Sequence, residues 1–114
     1  MDSVDKLATY RTLIQGLLGQ YATYQPSHGE IEIQTLFDLK NDHYQVLGVG
    51  WDRKERIYGV SIHVDIKDGK IWLQLNNTEM DVCQELVDRG VAKDDIVIGF
   101  QPPFLRQYSG YAIA

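Results

Sequence analysis

Residues that could do chemistry are sparse in this chain, and the densest group lies in segment 61–76. His63 and Asp65 are two positions apart on a predicted strand, so both side chains leave the same face. Strand geometry separates them by about 7 Å, whereas a base and its orienting carboxylate need contact at about 3 Å. A metal ion needs further ligands, which only His28 or His43 could add. The pattern predicts no catalytic, cofactor-binding or metal-binding residue. A small metal-dependent enzyme that uses the His63 and Asp65 face is the alternative.

Two other motifs give no chemistry. Cys83, the only cysteine, shares a helical stripe with Val87, where a buried thiol acts as a small hydrophobe and lacks the base that a nucleophile needs. A single cysteine also excludes an intramolecular disulfide and a multi-cysteine zinc site. Gly48-Val49-Gly50 lacks the third glycine and the following helix of a dinucleotide-binding loop. We therefore expect no cofactor.

A helix and a sheet must position the polar groups. Apolar residues recur every three or four positions over residues 7–21 and predict a helix that ends at residues 25–29. Alternation over residues 31–39 predicts a strand, followed by a turn at residues 40–42, a strand at residues 43–51 and a charged loop at residues 52–56. Gly48 and Gly50 share one strand face, and the first helix is their predicted neighbour.

Segment 61–76 predicts an antiparallel hairpin. Asp68-Gly69 suits a two-residue turn, which places Lys67 opposite Lys70 and, further on, His63 opposite Gln74 and Ile62 opposite Leu75. Aliphatic residues then fill one face, which must be the core face. The other face gathers Ser61, His63, Asp65, Lys67, Lys70, Trp72, Gln74 and Asn76. A tryptophan among polar groups suits a protein contact; alternatively, a helix or the tail covers this face and its polar groups hydrogen-bond internally.

The rest of the chain completes an α+β fold. Thr78 is the predicted N-cap of a second helix, with Asp81 as its capping-box partner, and Gly90 ends that helix. A short apolar strand follows at residues 96–100. The fold class is thus an N-terminal helix, a four-stranded antiparallel meander, a second helix, a short strand and an aromatic C-terminal tail that docks on the body or on a partner. All of residues 1–114 form a single domain.

Composition narrows the function. The chain has 114 residues, 44% of them hydrophobic, with 11 basic and 16 acidic side chains and a net charge of −5. DNA binding needs concentrated basic groups, so direct DNA binding by a monomer is disfavoured, and an oligomeric DNA-binding factor that gathers basic loops is an alternative. No apolar run could span a bilayer, and the acidic start is unlike a signal peptide. We expect a cytoplasmic protein with no membrane contact.

Several of these residues also carry a family resemblance that extends from about residue 4 to the end. The residues are Asp42-His43-Tyr44-Gln45, Gly50-Trp51, the run 63–72, Gln74, Asn76, Thr78-Glu79, residues 95–100, Arg106 and residues 112–114. They resemble the XisI family, the fdxN-element excision controlling factors of cyanobacteria. The resemblance implies a role in excising a DNA element during heterocyst development, beside a recombinase and a nuclease-like companion, XisH. It supplies no catalytic residues.

The leading hypothesis is a non-enzymatic accessory factor that binds an XisH-like protein. The neutral aromatic tail and short edge strands also predict a homo-oligomer, most simply a dimer. The candidate partner-binding residues are His43, Trp51, His63, Asp65, Lys67, Trp72, Gln74, Asn76, Arg106 and Tyr108.

Overall fold

The computed structural model describes residues 3–23 and 30–114 and confirms the α+β class. The predicted end of the first helix and His28 lie outside the described residues. In chain order the elements are α1 Ser3–Thr23, β1 Glu30–Asp38, β2 His43–Asp52, β3 Glu55–Lys67, β4 Lys70–Asn76, α2 Val82–Asp88 and β5 Ile96–Ile98, with short 3-10 helices at Lys93–Asp95 and Pro103–Tyr108. No helix in these two described ranges is long and apolar enough to cross a membrane.

The sheet has five strands in the order β1-β2-β3-β4-β5. The first four form the predicted antiparallel meander, and β5 adds to its edge parallel to β4. Parallel neighbours need a long crossover, and α2 supplies it. The predicted short strand is therefore part of the same sheet.

Strand β3 begins at Glu55, so the predicted charged loop over residues 52–56 is wrong. Asp52 pairs with Glu55 and Trp51 with Arg56, and only Arg53 and Lys54 form the turn. Charged side chains at the end of a hairpin stay in water while their backbone groups continue the ladder. Charge alone therefore could not reveal the strand.

The hairpin turn is confirmed, but the predicted register holds only next to it. Asp68 and Gly69 both have positive φ, 53° and 78°, and the pairs from Lys67–Lys70 to Val64–Leu73 agree with prediction. Beyond these pairs a β-bulge inserts one residue, so His63 lies opposite Leu75 and Ile62 opposite Asn76. The predicted pairs of His63 with Gln74 and of Ile62 with Leu75 are wrong, because a bulge shifts all later pairs by one residue.

One face of the sheet is covered by α1 and α2. The stripe predicted on α1 is confirmed, since Tyr10, Ile14, Leu17 and Leu18 are buried. They join a single core with side chains from β2, β3, β4, α2 and β5, including Tyr44, Val46, Ile62, Val64, Ile71, Leu73, Leu86 and Ile96. The helices thus leave the opposite sheet face to the polar and aromatic side chains.

At the two ends of α2, the structure contradicts the predicted N-cap and confirms the predicted C-terminal glycine. The N-cap is Asp81, whose carboxylate accepts a hydrogen bond from the backbone N–H of Gln84 at 3.1 Å, so the prediction of Thr78 as the cap is wrong. The Thr78 hydroxyl instead accepts the backbone N–H of Met80 and donates to Asn76, which makes a turn before the helix. Gly90 ends the helix with φ of 108°, as expected.

The tail docks on the body, as predicted. The backbone N–H of Ala112 donates to the carbonyl of Ile96 at 2.8 Å, and Lys70 Nζ donates to the backbone oxygen of Ala114 at 2.8 Å. Between these contacts and β5, the 3-10 helix Pro103–Tyr108 exposes Phe104 and Tyr108. The tail therefore combines anchored backbone with exposed aromatic rings.

Candidate functional site

Three side chains meet on the uncovered sheet face in what we call the histidine–aspartate cluster, formed by His43, His63 and Asp65. Antiparallel pairing of β2 with β3 places His43 directly opposite Asp65. The Asp65 Oδ1 atom accepts hydrogen bonds from His43 Nδ1 and from His63 Nε2, each at 2.7 Å. The expectation that His63 and Asp65 stand too far apart for contact is wrong. The strand rise separates their backbones, but the two side chains lean toward one another.

The carboxylate of Asp65 is the centre of the cluster. Its second oxygen, Oδ2, accepts a hydrogen bond from Gln74 Nε2 at 3.2 Å, and the side chain is only 16% exposed. Burial alone would raise the pKa of Asp65, but the hydrogen bonds from His43 and His63 outweigh it and hold that pKa below its usual value. The aspartate is therefore ionised at neutral pH.

The two histidines have different surroundings. His63 is 27% exposed, and its Nδ1 faces Gln45 Nε2 at 3.3 Å, so one ring nitrogen accepts while the other donates to Asp65. His43 is 55% exposed. Its hydrogen bond to Asp65, and the charge of that group, raise the pKa of His43 above its ordinary value. The rings stand edge to face, with centroids 6.2 Å apart.

A cavity of about 360 Å³ opens beside the cluster. Both histidines line it together with Leu36, Asp38 and Gln45. The carboxylate of Asp38 accepts the backbone N–H groups of Lys40 and Asn41, so it holds the β1–β2 turn that precedes His43. A small molecule or a partner side chain in this cavity would meet the histidine rings directly.

Trp72 lies on the same face, opposite Asp65. Two cations lie near its ring, Lys67 Nζ at 4.8 Å and the Arg106 guanidinium carbon at 5.2 Å from the ring centroid. Arg106 is held by the backbone carbonyls of Gln101 and Gly99. The tail thus covers part of Trp72, which agrees with the internal-cover alternative at this one residue.

The other predicted partner-binding residues lie apart from the cluster. Asn76 lies opposite Ile62 on the core side, and its amide donates to the Met80 carbonyl at 2.8 Å. Its predicted place on the polar face is therefore wrong, because the bulge moves it to the other face. Trp51 lies eight residues along β2 from His43, about 25 Å away by strand rise. Tyr108 is 78% exposed on the tail.

Sequence reasoning missed Gln45 and Leu36. Gln45 follows His43 by two residues on β2, and that spacing indicated a shared face. The pairing of Leu36 with Gln45, and of Gln45 with His63, places all three side chains in one row. Leu36 could be assigned to the site only from the register of β1 against β2, which the sequence does not specify.

Paired residues across β1–β4 define a larger surface, which we call the open sheet face. It includes Leu36, His43, Gln45, Val49, Trp51, Arg56, Tyr58, His63, Asp65 and Trp72. Leu36 is 60% exposed, Trp51 47% and Tyr58 73%. Large apolar side chains therefore accompany the polar cluster on the face opposite the helices.

The fold and this face define a class: a small α+β protein whose helices cover one side of a five-stranded sheet and leave a mixed polar and aromatic face on the other. A family model described as XisI protein matches residues 4–113. The chain therefore belongs to the XisI family, as the sequence resemblance predicted.

Two solved structures from Anabaena variabilis agree with this assignment. An XisI-like protein is 46% identical, with a TM-score of 0.90, and the match covers 95% of this chain and 99% of that one. The fdxN element excision controlling factor XisI is 30% identical, with a TM-score of 0.82, and the match covers 96% of this chain and 99% of the other. No curated protein matches the chain.

Proposed function

We propose that this chain is a non-enzymatic controlling factor in the excision of a DNA element, and that it acts by binding a protein partner. The similarity to the fdxN element excision controlling factor XisI supports the process. An XisH-like protein of nuclease-like fold is the proposed partner. The proposal places both proteins in the cytoplasm of a cyanobacterial cell that is developing into a heterocyst.

The observation that carries the proposal is the open sheet face. Exposed apolar groups that cluster within a polar surround are typical of protein interaction sites. Leu36, Trp51 and Tyr58 are large, exposed and on one sheet face. The rings of Trp51 and Tyr58 offer contact area at a small cost in side-chain entropy, because each has only two rotatable side-chain bonds.

Charge supports a protein partner over direct contact with DNA. The chain carries a net charge of −5, which repels a polyanion over most of its surface. The partner would therefore supply the DNA contacts. An acidic factor could also mask the basic surface of a nuclease-like protein and so control when that surface reaches DNA.

The burial of Cys83, the cysteine considered as a nucleophile, supports a role without catalysis. The thiol of Cys83 is buried, and burial, together with the charge of Asp81, raises its pKa to about 11. A thiolate is the reactive form, so the thiol is inert at neutral pH.

Co-purification tests the proposal. The chain, with an affinity tag, is co-expressed with an XisH-like protein from the same genome and purified at low, moderate and high salt. We expect a stable complex, and the double variant Trp51→Ala with Tyr58→Ala should weaken it at least tenfold, because aromatic anchors carry much of the energy of an interface. Thr12→Ala, an exposed change on α1, is the control and should bind normally.

Two results would contradict this reasoning. If no complex forms at any salt concentration, the partner is wrong. If the complex forms but tolerates the double variant, the open sheet face is wrong; a paired change of Phe104 and Tyr108 to alanine would then test the tail. Light scattering on the isolated chain tests the homodimer predicted from the sequence, and a monomer would contradict that prediction.

A further inference from the structure

We propose that the histidine–aspartate cluster is a binding site for a divalent transition metal ion, with zinc the ion that its ligand set fits best. This inference does not depend on the proposed function. The two imidazole nitrogens and one carboxylate oxygen of His43, His63 and Asp65 all lie within 4.8 Å of one another. They come from two neighbouring strands, which fix the spacing of the three backbones.

The distances between the ligand atoms suit an ion. Each histidine nitrogen is 2.7 Å from Asp65 Oδ1. Ligands around tetrahedral zinc, with bonds of about 2.0–2.1 Å, stand about 3.3 Å apart. Each of these two gaps must therefore open by about 0.6 Å, and the two histidine nitrogens, which lie within 4.8 Å of one another, must come to the same spacing. His43 is more than half exposed, so its ring can make this movement without disturbing the core.

The ring nitrogens that would bind the ion already converge on one atom. His43 Nδ1 and His63 Nε2 both lie 2.7 Å from Asp65 Oδ1, so one ion between these three atoms would meet all of them. The other ring nitrogen of His63 faces Gln45, whose amide can turn to accept a hydrogen bond through its oxygen.

Outer partners of the kind that metal sites use are already in place. Gln74 donates to the second oxygen of Asp65, and Gln45 contacts the far nitrogen of His63. Such contacts fix the orientation of ligating side chains and strengthen metal binding. The cavity of about 360 Å³ beside both histidines leaves room for a fourth ligand, such as water or a side chain of a partner.

Titration with zinc tests the site. The chain is freed of metal with a chelator and titrated by calorimetry, and Co²⁺ serves as a second probe because its visible absorption reports nitrogen and oxygen ligation. We expect one zinc ion per chain. His43→Gln, His63→Gln and Asp65→Asn should each weaken binding by at least ~100-fold, since loss of an outer partner alone costs roughly 10–100-fold. Gln74→Ala, which removes an outer partner, should weaken zinc binding by roughly 10–100-fold.

A matched control separates this site from stray binding by surface groups. Asp94→Asn makes the same chemical change as Asp65→Asn at an exposed aspartate outside the cluster and should bind zinc as the unmodified chain does. Thermal melting of each metal-free variant checks that it is folded. If a variant at His63 or Asp65 is unfolded, the zinc affinities of His43→Gln and Gln74→Ala test the site instead. The proposal is overturned if zinc does not bind saturably, if the cluster variants bind like the unmodified chain, or if Asp94→Asn loses as much affinity as they do.

Discussion

Gly50 offers the sharpest test of how the sheet is held together. It lies on β2 opposite Ile31 of β1, with φ of 155°. A Cβ atom added at Gly50 would fall on the backbone carbonyl oxygen of Glu30 and lie 2.8 Å from the Cα of Ile31. Those atoms belong to β1 and not to α1, the neighbour expected from sequence. Gly50→Ala must therefore push β1 away from β2.

The size of the effect follows from two costs. A side chain held in a region of φ and ψ that only glycine favours costs about 1–3 kcal/mol. Overpacking against a neighbour that cannot yield adds about 1–3 kcal/mol, and backbone of a paired strand yields poorly. We expect Gly50→Ala to lower the free energy of unfolding by about 3 kcal/mol or more. That is a large fraction of the roughly 5–15 kcal/mol that holds an ordinary domain together.

Urea unfolding, followed by the fluorescence of Trp51 and Trp72, measures this loss. Gly59→Ala on β3 is the matched control, because a Cβ there meets no atom within 4 Å. It should leave stability unchanged or raise it by about 0.4–1 kcal/mol through the unfolded chain. Gly48→Ala, with its nearest neighbour at 3.6 Å, should fall between them. If Gly50→Ala and Gly59→Ala proved equally stable, the close approach of β1 to β2 would be refuted.

Three further predictions concern other contacts. Arg11→Gln should lower stability in urea at pH 7, because hydrogen bonds from Arg11 hold the pKa of Asp42 below its usual value. A depressed carboxyl pKa stabilises the fold above the unfolded value of about 4, so the difference in stability from the unmodified chain should shrink as pH falls below 4; a pH-independent difference would contradict this. Cys83 should react with a thiol reagent at pH 8 only after urea unfolds the chain, because its thiol is buried and its pKa is raised to about 11. Rapid reaction of the folded chain would contradict this, since it would show that the thiol is accessible. Arg106→Ala should expose Trp72 to acrylamide quenching, because it removes the guanidinium near the ring. The measurement is made in a Trp51→Phe variant, so that Trp72 is the only fluorescent tryptophan. Unchanged quenching would mean that Arg106 does not shield the ring.

Local patterns in the sequence predicted most of the fold. The three- and four-residue spacing on α1, the alternation on β1 and the Asp68-Gly69 turn each report forces between near neighbours in the chain. The structure agrees with all three. The errors arose where strand pairing, and not the side-chain pattern, decides the outcome, as at Glu55, whose backbone pairs with Asp52 across a two-residue turn and so extends the strand.

The candidate site was only half predictable for the same reason. His63 and Asp65 were recognised as sharing a face, and His43 was named as a further ligand that the fold would have to bring in. Contact between them depends on the register of β2 against β3, which no turn motif in the sequence specified. The placement of Gln74 depends on a bulge, and nothing in the alternation of residues 70–76 marks one.

The β-bulge on β4 relates the histidine–aspartate cluster to the C-terminal tail. The extra residue lets the Gln74 amide reach Asp65, and Gly99 leaves room for that side chain, since a Cβ at Gly99 would lie 3.1 Å from Gln74 Cδ. The carbonyl of Gly99 in turn holds Arg106 over Trp72. A series of neighbouring groups thus links the tail to the histidine–aspartate cluster. A partner that moves Arg106 would change the support of Asp65, and zinc affinity measured with and without the partner would report that linkage in both directions.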